Sequence, residues 1–178
     1  MSSKLIEKAF EEIESNINSD DLNFFQENLV DKLKSHDDSI AKYLKRVFEL
    51  FEKNPKACWG EPGVIVHYLE SLDNCLFENE LIASIERCPV DHTLWMLNRL
   101  CNSKHTKEEI NKYCNIFKDV VEQKNLDSNV VSSAEHFFNY QNKRLNQIYN
   151  ENSSSDLSSK NMNNLFDVLS FIKIKPKK

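Results

Sequence analysis

Glycine is the residue that most constrains this chain, because it occurs only twice in 178 positions, at Gly60 and Gly63. Folds rich in β-strands need many tight turns, and glycine is the usual residue wherever a turn requires a positive φ angle. A chain with two glycines cannot supply such turns often. The sequence therefore predicts a fold built from helices and not from hairpins.

Apolar residues recur every three or four positions along most of the chain, which is the spacing of one buried helix face. Strict alternation of apolar and polar residues, which is typical of strands, does not extend over any useful length. These patterns predict an all-α protein of eight or nine short helices in antiparallel pairs. Such pairs stack into a HEAT-like superhelix or into a compact helical bundle, and the sequence leaves both open. We expect Asp73 to end one of these helices and Asp91 to cap another, and we expect Thr106 and Glu109 to form a capping box at the start of a third.

A polar, serine-rich stretch, NENSSSDLSSK, interrupts the helical pattern near the end of the chain. Clusters of this composition are typical of linkers. We therefore expect a single helical domain at 1–149, a polar Ser-rich linker at 150–160, and a short C-terminal helix with a basic tail at 161–178.

The stretch from Trp59 to Ser103 contains both glycines and both tryptophans of the chain. Within it, residues 93–102 are apolar almost all round, which predicts the most deeply buried helix, with Trp95 in the core. Trp59 lies beside a turn that starts a helix, Gly60-Glu61-Pro62-Gly63. A side chain at such a turn either covers the core or contacts a partner, and both interpretations stay open for Trp59.

Charge is distributed unevenly between the two halves of the chain. Residues 1–91 carry 19 acidic and 10 basic side chains, net −9, whereas residues 92–178 carry 9 and 13, net +4, which together give −5. A nucleic-acid surface needs a positive field, so the first half is not suited to one. A negative surface instead attracts a basic protein partner. Acidic helical domains are also common without such a partner.

Few residues form a pattern that carries chemistry. His67 and Glu70 are three positions apart on one helix, as in some carboxylate-bridged metal sites, but no second pair matches them. The five cysteines include no CxxC motif, which favours free, buried thiols. Cys88 and His92 lie near helix ends, where such neighbours meet by accident. We therefore expect no catalytic residues, no metal, no cofactor and no enzymatic activity; a helical enzyme is the least favoured alternative.

Two strings in the central stretch, GEPGVIVHYLE at 60–70 and PVDHTLWMLNRLCNS at 89–103, resemble small bacterial immunity proteins. These proteins accompany polymorphic toxins, including those of contact-dependent growth inhibition. The resemblance covers about residues 59–103. It implies a cytoplasmic protein that binds and neutralises one cognate toxin domain. Many such toxins are nucleases and basic, and an acidic binder would suit them.

The predicted contact set for that toxin consists of acidic side chains from the first half, with one aromatic residue as a possible anchor. Its members are Trp59, Glu61, Glu70, Asp73, Glu78, Glu80 and Glu86. The alternative function is a HEAT-like adaptor that binds another protein, with no toxin involved. The chain contains no long apolar run and no secretory signal, so we expect a cytoplasmic protein without membrane or nucleic-acid partners.

Overall fold

The computed structural model describes residues 2–36 and 40–148, and eight α-helices account for most of them. In this part of the chain no strand is formed, so the predicted all-α fold class is confirmed. The helices are α1 Ser2–Ser15, α2 Leu22–Lys34, α3 Ile40–Lys53, α4 Val64–Glu70, α5 Asn74–Arg87, α6 Asp91–Asn102, α7 Lys107–Glu122 and α8 from 128 to 148.

One hydrophobic cluster runs through the helices from Ile6 in α1 to Leu145 in α8. Each helix contributes residues spaced three or four apart, as in the buried set Phe10 and Ile13 of α1. A core shared by all these helices fits the compact-bundle form of the prediction. Removing so much apolar surface from water is the main force that holds the helices together.

The helices pack partly with their neighbours in sequence and partly with helices further along. The consecutive pairs α1–α2, α5–α6 and α6–α7 are in contact, as the short links between them require. In contrast, α2 packs against α4, and α3 packs against α5. The short helix α4, with only seven residues, is therefore not the partner of α3, and the simple pattern of consecutive pairs is interrupted there.

Two helix boundaries differ from the sequence prediction. Asp73 was expected to end a helix, but α4 already ends at Glu70 and Asp73 is the N-cap of α5. The Asp73 carboxylate accepts hydrogen bonds from the backbone amides of Cys75 and Leu76, which otherwise have no intrahelical partner.

Asp91 was expected to cap α6, but the N-cap is Val90, whose backbone amide is satisfied by the Thr93 hydroxyl.

The predicted capping box at the start of α7 is confirmed. The backbone N–H of Glu109 donates to the Thr106 hydroxyl over 3.3 Å, and the backbone N–H of Thr106 donates to the Glu109 carboxylate over 3.4 Å. Each side chain therefore satisfies the other residue's free amide. The Thr106 hydroxyl also donates to the carboxylate, which lowers the pKa of Glu109.

The backbone geometry of the turn Gly60-Glu61-Pro62-Gly63 requires glycine at both of its ends. Gly60 has a φ of +84°, a conformation that side chains rarely adopt. Gly63 lies so close to the Trp59 carbonyl oxygen that a β-carbon there would sit 1.7 Å from it. The Glu61–Pro62 peptide bond is cis. The turn places the Trp59 side chain in the core and leaves Glu61 exposed.

The two tryptophans lie in different environments, and only Trp95 departs from its expected position. Trp59 is only 2% exposed, and its indole N–H donates to the carbonyl oxygen of Asn54 over 3.1 Å. It packs edge-on against Phe51, with ring centroids 4.9 Å apart. Trp95, expected in the core, is partly exposed. The expectation for Trp95 was wrong because α6 buries Leu94, Met96 and Leu97, so the side chain of Trp95 is directed into a cleft at the edge of the core.

Helix α8 is attached to α6 through polar groups. Gln141, which is fully buried, donates from Nε2 to the side-chain oxygens of Asn98 and Asn102, each over 2.7 Å. The Arg144 guanidinium donates to the carbonyl oxygens of Cys101 and Lys104 at the end of α6. Carbonyl groups at the C-terminal end of a helix have no intrahelical N–H partner. They carry partial negative charge, so a cation is favoured there.

The predicted linker at 150–160 and the predicted helix and tail at 161–178 lie outside the described residues. Among the helices from α1 to α8, none combines the length and the apolar character that a membrane span needs.

Candidate protein-interaction site

Glu70, one of the predicted contact residues, is held by an arginine of the same chain. Arg99 Nε donates to Glu70 Oε1 over 2.7 Å, and Arg99 Nη2 donates to Glu70 Oε2 over 3.0 Å. Such two-pronged pairs are the stronger form of arginine–carboxylate contact. The hydrogen bond to Glu70 raises the pKa of Arg99. Glu70 therefore joins α4 to α6 and has little charge left for a partner.

Glu78 is also neutralised within the chain. Its carboxylate lies between the ammonium groups of Lys104, at 3.6 Å, and Lys112. Partial burial alone would raise the pKa of Glu78, but hydrogen bonds from Lys112 and Tyr113 and the two lysine charges hold it below its ordinary value. This cluster connects α5 to α7 and to the link before it, so Glu78 serves the fold.

Glu80 belongs to a third ion-pair cluster, which is centred on Arg87. The Arg87 guanidinium donates to Glu80 over 3.2 Å and binds Glu52 of α3 through two hydrogen bonds of 2.6 and 3.1 Å. The Ser84 hydroxyl donates to the same Glu52 carboxylate over 2.7 Å. These contacts fasten α5 onto α3.

The predicted contact set is therefore not one continuous acidic face. Trp59 is in the core and is not available as a surface anchor, and Asp73 is used as a helix cap. Of the acidic members, Glu61 and Glu86 are exposed and form no ion pair with another described residue.

Glu61 lies at a cleft that the sequence prediction did not include. The cleft encloses about 240 Å³ between the turn after Trp59, the start of α6 and one face of α8. We call it the acidic–aromatic cleft, and it is lined by Glu61, Asp91, His92, Trp95, Ser133 and Phe137. It combines two carboxylates with two aromatic rings.

Both carboxylates of the acidic–aromatic cleft are exposed, and neither Glu61 nor Asp91 has an ion-pair partner in the described part of the chain. Asp91 is in the first turn of α6, where the helix dipole favours a negative charge. Glu52, Glu70 and Glu78 have basic partners at contacts between helices, whereas Glu61 and Asp91 face solvent. Their negative potential is therefore open to an approaching molecule.

Trp95 lies in a row of ring contacts that leads from the core to the surface. The His92 ring is 4.9 Å from the Phe51 ring on one side and 5.5 Å from the Trp95 ring on the other. The Arg99 guanidinium carbon lies 5.0 Å from the centre of the Trp95 ring. Such cation–π contact is attractive and favours this arrangement of the indole. Trp95 is thus a partly exposed aromatic surface with contacts on its ring from His92 and Arg99.

His92 is held in its neutral form. Its surroundings remove water from the ring, and this burial lowers its pKa to about 4. The Nε2 atom is buried and has no hydrogen-bond partner among the described residues. Burial also raises the pKa of nearby Cys88, and the charge of Glu52 adds to the effect. A thiolate–imidazolium pair is therefore disfavoured at this position.

Sequence reasoning could have found one half of this cleft. Asp91 and Trp95 are four residues apart, so they share a helix face, and that spacing was a usable signal. Ser133 and Phe137 are four apart on α8 in the same way. No sequence pattern indicated that these two faces meet, because the contact joins helices about forty residues apart.

No three residues of the histidine, cysteine, aspartate and glutamate types come together as a metal site in the ranges 2–36 and 40–148. His67, considered as a ligand from its spacing to Glu70, is exposed, and Glu70 is bound to Arg99.

Comparison of this chain with protein-family models, with curated proteins and with solved structures finds no match. The resemblance of residues 59–103 to immunity proteins stays a prediction, and function must be argued from the site itself.

Proposed function

We propose that this protein is an immunity protein that binds and neutralises a cognate, basic toxin domain, with a nuclease domain as the expected kind. The observation that carries the proposal is that Glu61 and Asp91, which have no ion-pair partner among the described residues, lie beside the partly exposed ring of Trp95. All three residues lie in the segment that resembles immunity proteins.

The composition of this site supports a protein partner. The centres of protein interfaces are enriched in aromatic residues, and a rigid tryptophan supplies much contact area with little loss of side-chain entropy. Charged groups around such a centre guide the approach of a partner of opposite sign. The net charge of −5 acts in the same direction over a longer range.

The ion pairs inside the chain change which acids we assign to the partner. Glu70, Glu78 and Glu80 are bound to arginine or lysine residues of this protein, so we assign them to the stability of the bundle. The proposed interface is centred on Glu61 and Asp91. Glu86, also exposed and at the end of α5, stays a candidate contact outside the acidic–aromatic cleft.

The test is protection of cells against the toxin domain encoded by the neighbouring gene. Co-expression of this protein should restore growth, and the variant Glu61→Lys/Asp91→Lys should fail to do so while staying folded. A matched control is Glu11→Lys/Asp119→Lys, which reverses two exposed acids that have no ion-pair partner among the described residues and lie outside the acidic–aromatic cleft.

Three outcomes would count against the proposal. If the protein does not protect, toxin neutralisation is wrong, and the HEAT-like adaptor that binds another protein becomes the better hypothesis. If the cleft variant protects as well as the parent protein, the interface lies elsewhere. If the control variant also fails, general acidity and not this cleft is responsible.

A further inference from the structure

The acidic–aromatic cleft contains hydrogen-bond acceptors, and no lysine or arginine is among the described residues that line it. Glu61 and Asp91 each offer a carboxylate, and His92 adds a neutral imidazole whose Nε2 has no partner among the described residues. The donor groups among the side chains that line the cleft are the Ser133 hydroxyl, the indole N–H of Trp95 and the ring N–H of His92, and none of them is cationic while His92 is neutral. A site with this inventory favours a ligand that carries several N–H donors and a positive charge.

The size of the cleft indicates a single side chain and not a whole small molecule. Pockets for small ligands usually enclose roughly 300–1,000 Å³. The acidic–aromatic cleft encloses about 240 Å³, and it is open to solvent on one side. A residue projecting from a protein surface would fill such a space while the surrounding surfaces come into contact.

The cation already near Trp95 does not fill this role. Arg99 approaches the Trp95 ring to 5.0 Å, but it does not line the cleft. Its charge is balanced by Glu70 through two hydrogen bonds. The positive field of Arg99 is therefore largely cancelled for a cation that approaches Glu61 and Asp91.

We propose that the acidic–aromatic cleft binds an arginine side chain of the partner protein, a proposal that rests on the proposed function. The guanidinium group pairs with the carboxylates of Glu61 and Asp91, and its apolar stem packs against Trp95 and Phe137. The Nε2 atom of His92, in the tautomer protonated on Nδ1, is a further acceptor once the side chains around it adjust.

Arginine fits this chemistry better than lysine does. Its guanidinium group presents five donors in a plane and can serve two carboxylates at once, whereas an ammonium group is a compact and strongly hydrated charge. Arginine also packs its planar group and its stem against aromatic rings. We therefore expect an arginine ligand to bind more tightly than the lysine equivalent.

The test uses the full chain and three capped tripeptides, acetyl-Gly-Arg-Gly-amide and its lysine and citrulline counterparts. Citrulline has nearly the shape of arginine but no charge, so it isolates the electrostatic contribution. Binding is followed by NMR through the indole N–H signals. The chain has only two tryptophans, and buried Trp59 serves as an internal reference for Trp95.

The arginine peptide should shift the Trp95 indole signal in a saturable way and leave the Trp59 signal unchanged. The citrulline peptide should bind at least about tenfold more weakly, and so should the arginine peptide with Glu61→Gln/Asp91→Asn. The control Glu11→Gln/Asp119→Asn should bind as the parent does. Equal binding of arginine and citrulline, or shifts spread over the whole surface, would overturn the proposal.

The experiment also separates this proposal from the proposed function. If the protein protects cells from the toxin but the arginine peptide does not bind, the immunity function stands and the cleft assignment is wrong. If the peptide binds specifically but no protection is found, the cleft recognises arginine in a partner that is not a toxin.

Discussion

Arg99 binds Glu70 through two hydrogen bonds, of 2.7 and 3.0 Å, that join α6 to α4. The same guanidinium group lies over the ring of Trp95. One arginine therefore pairs with an acid that the sequence analysis assigned to a partner, and it also contacts the aromatic ring at the site that we propose. Arg99 therefore contributes both to the stability of the fold and to the site that we propose.

The Glu70–Arg99 pair predicts a difference between two glutamates. Glu70→Gln should lower the free energy of unfolding by about 1 kcal/mol, because it weakens a partly buried, two-pronged pair. Glu61→Gln, at an exposed position without an ion-pair partner in the described chain, should change it by no more than about 0.5 kcal/mol. Urea denaturation of both variants measures this. Equal losses would contradict the assignment of Glu70 to stability.

The two tryptophans should differ in their contribution to stability. Trp59→Ala removes a fully buried ring with a hydrogen bond to Asn54, and it should cost about 3–5 kcal/mol. Trp95→Ala removes a ring that is partly exposed, so we expect a smaller loss of about 1–2 kcal/mol. Chemical denaturation followed by circular dichroism compares them. A larger loss for Trp95 would contradict the burial of the two rings.

His92 should make stability depend on pH in the mildly acidic range. Its pKa is about 4 in the folded protein and ordinarily about 6.5, so the unfolded chain binds more protons between these values. The contribution of neutral His92 to the free energy of unfolding is therefore fully present above pH 6.5. It falls as the pH decreases towards 4, by up to about 3 kcal/mol.

The variant His92→Phe provides the comparison, since it keeps an aromatic ring between Phe51 and Trp95 but cannot titrate. The difference in unfolding free energy between parent and variant should change over this pH range and become constant above it. A difference that does not vary with pH would show that His92 is not held neutral by burial.

Arg144 should be important for the attachment of α8. Arg144→Met removes the donors to the carbonyl oxygens at the end of α6 while keeping an apolar stem, and it should cost about 1.5–3 kcal/mol. Lysine at this position keeps the charge but cannot span the same carbonyls, so it should restore only part of the loss. In the Arg144→Met variant, amide hydrogen exchange should become faster in α8, and it should change less in α1. Uniform quickening would contradict a local role.

The sequence predicted local structure well because the forces involved are local. The capping box at Thr106 and Glu109 needs residues only three apart, and the apolar stripe of α1 needs only the helical period. The scarcity of glycine correctly predicted the absence of strands in the described residues.

Trp59 and the acidic residues were harder to place because their environment comes from distant parts of the chain. Glu78 meets Lys112, which lies 34 positions away, and no spacing rule indicates such a contact. A count of acids in the first half therefore predicts the net charge of that half, but it does not predict which acidic side chains lie together on the surface. Trp59 is buried by a turn whose geometry depends on close approach at Gly63.

The central claim is tested most directly by titrating the purified protein with the toxin domain encoded by the neighbouring gene, at low and at high salt. Specific binding that weakens as salt rises is expected, because salt screens the exposed charges of Glu61 and Asp91. Reversal of both charges should weaken binding by at least about tenfold. No binding at either salt concentration, or an affinity that neither salt nor the double reversal changes, would contradict the claim.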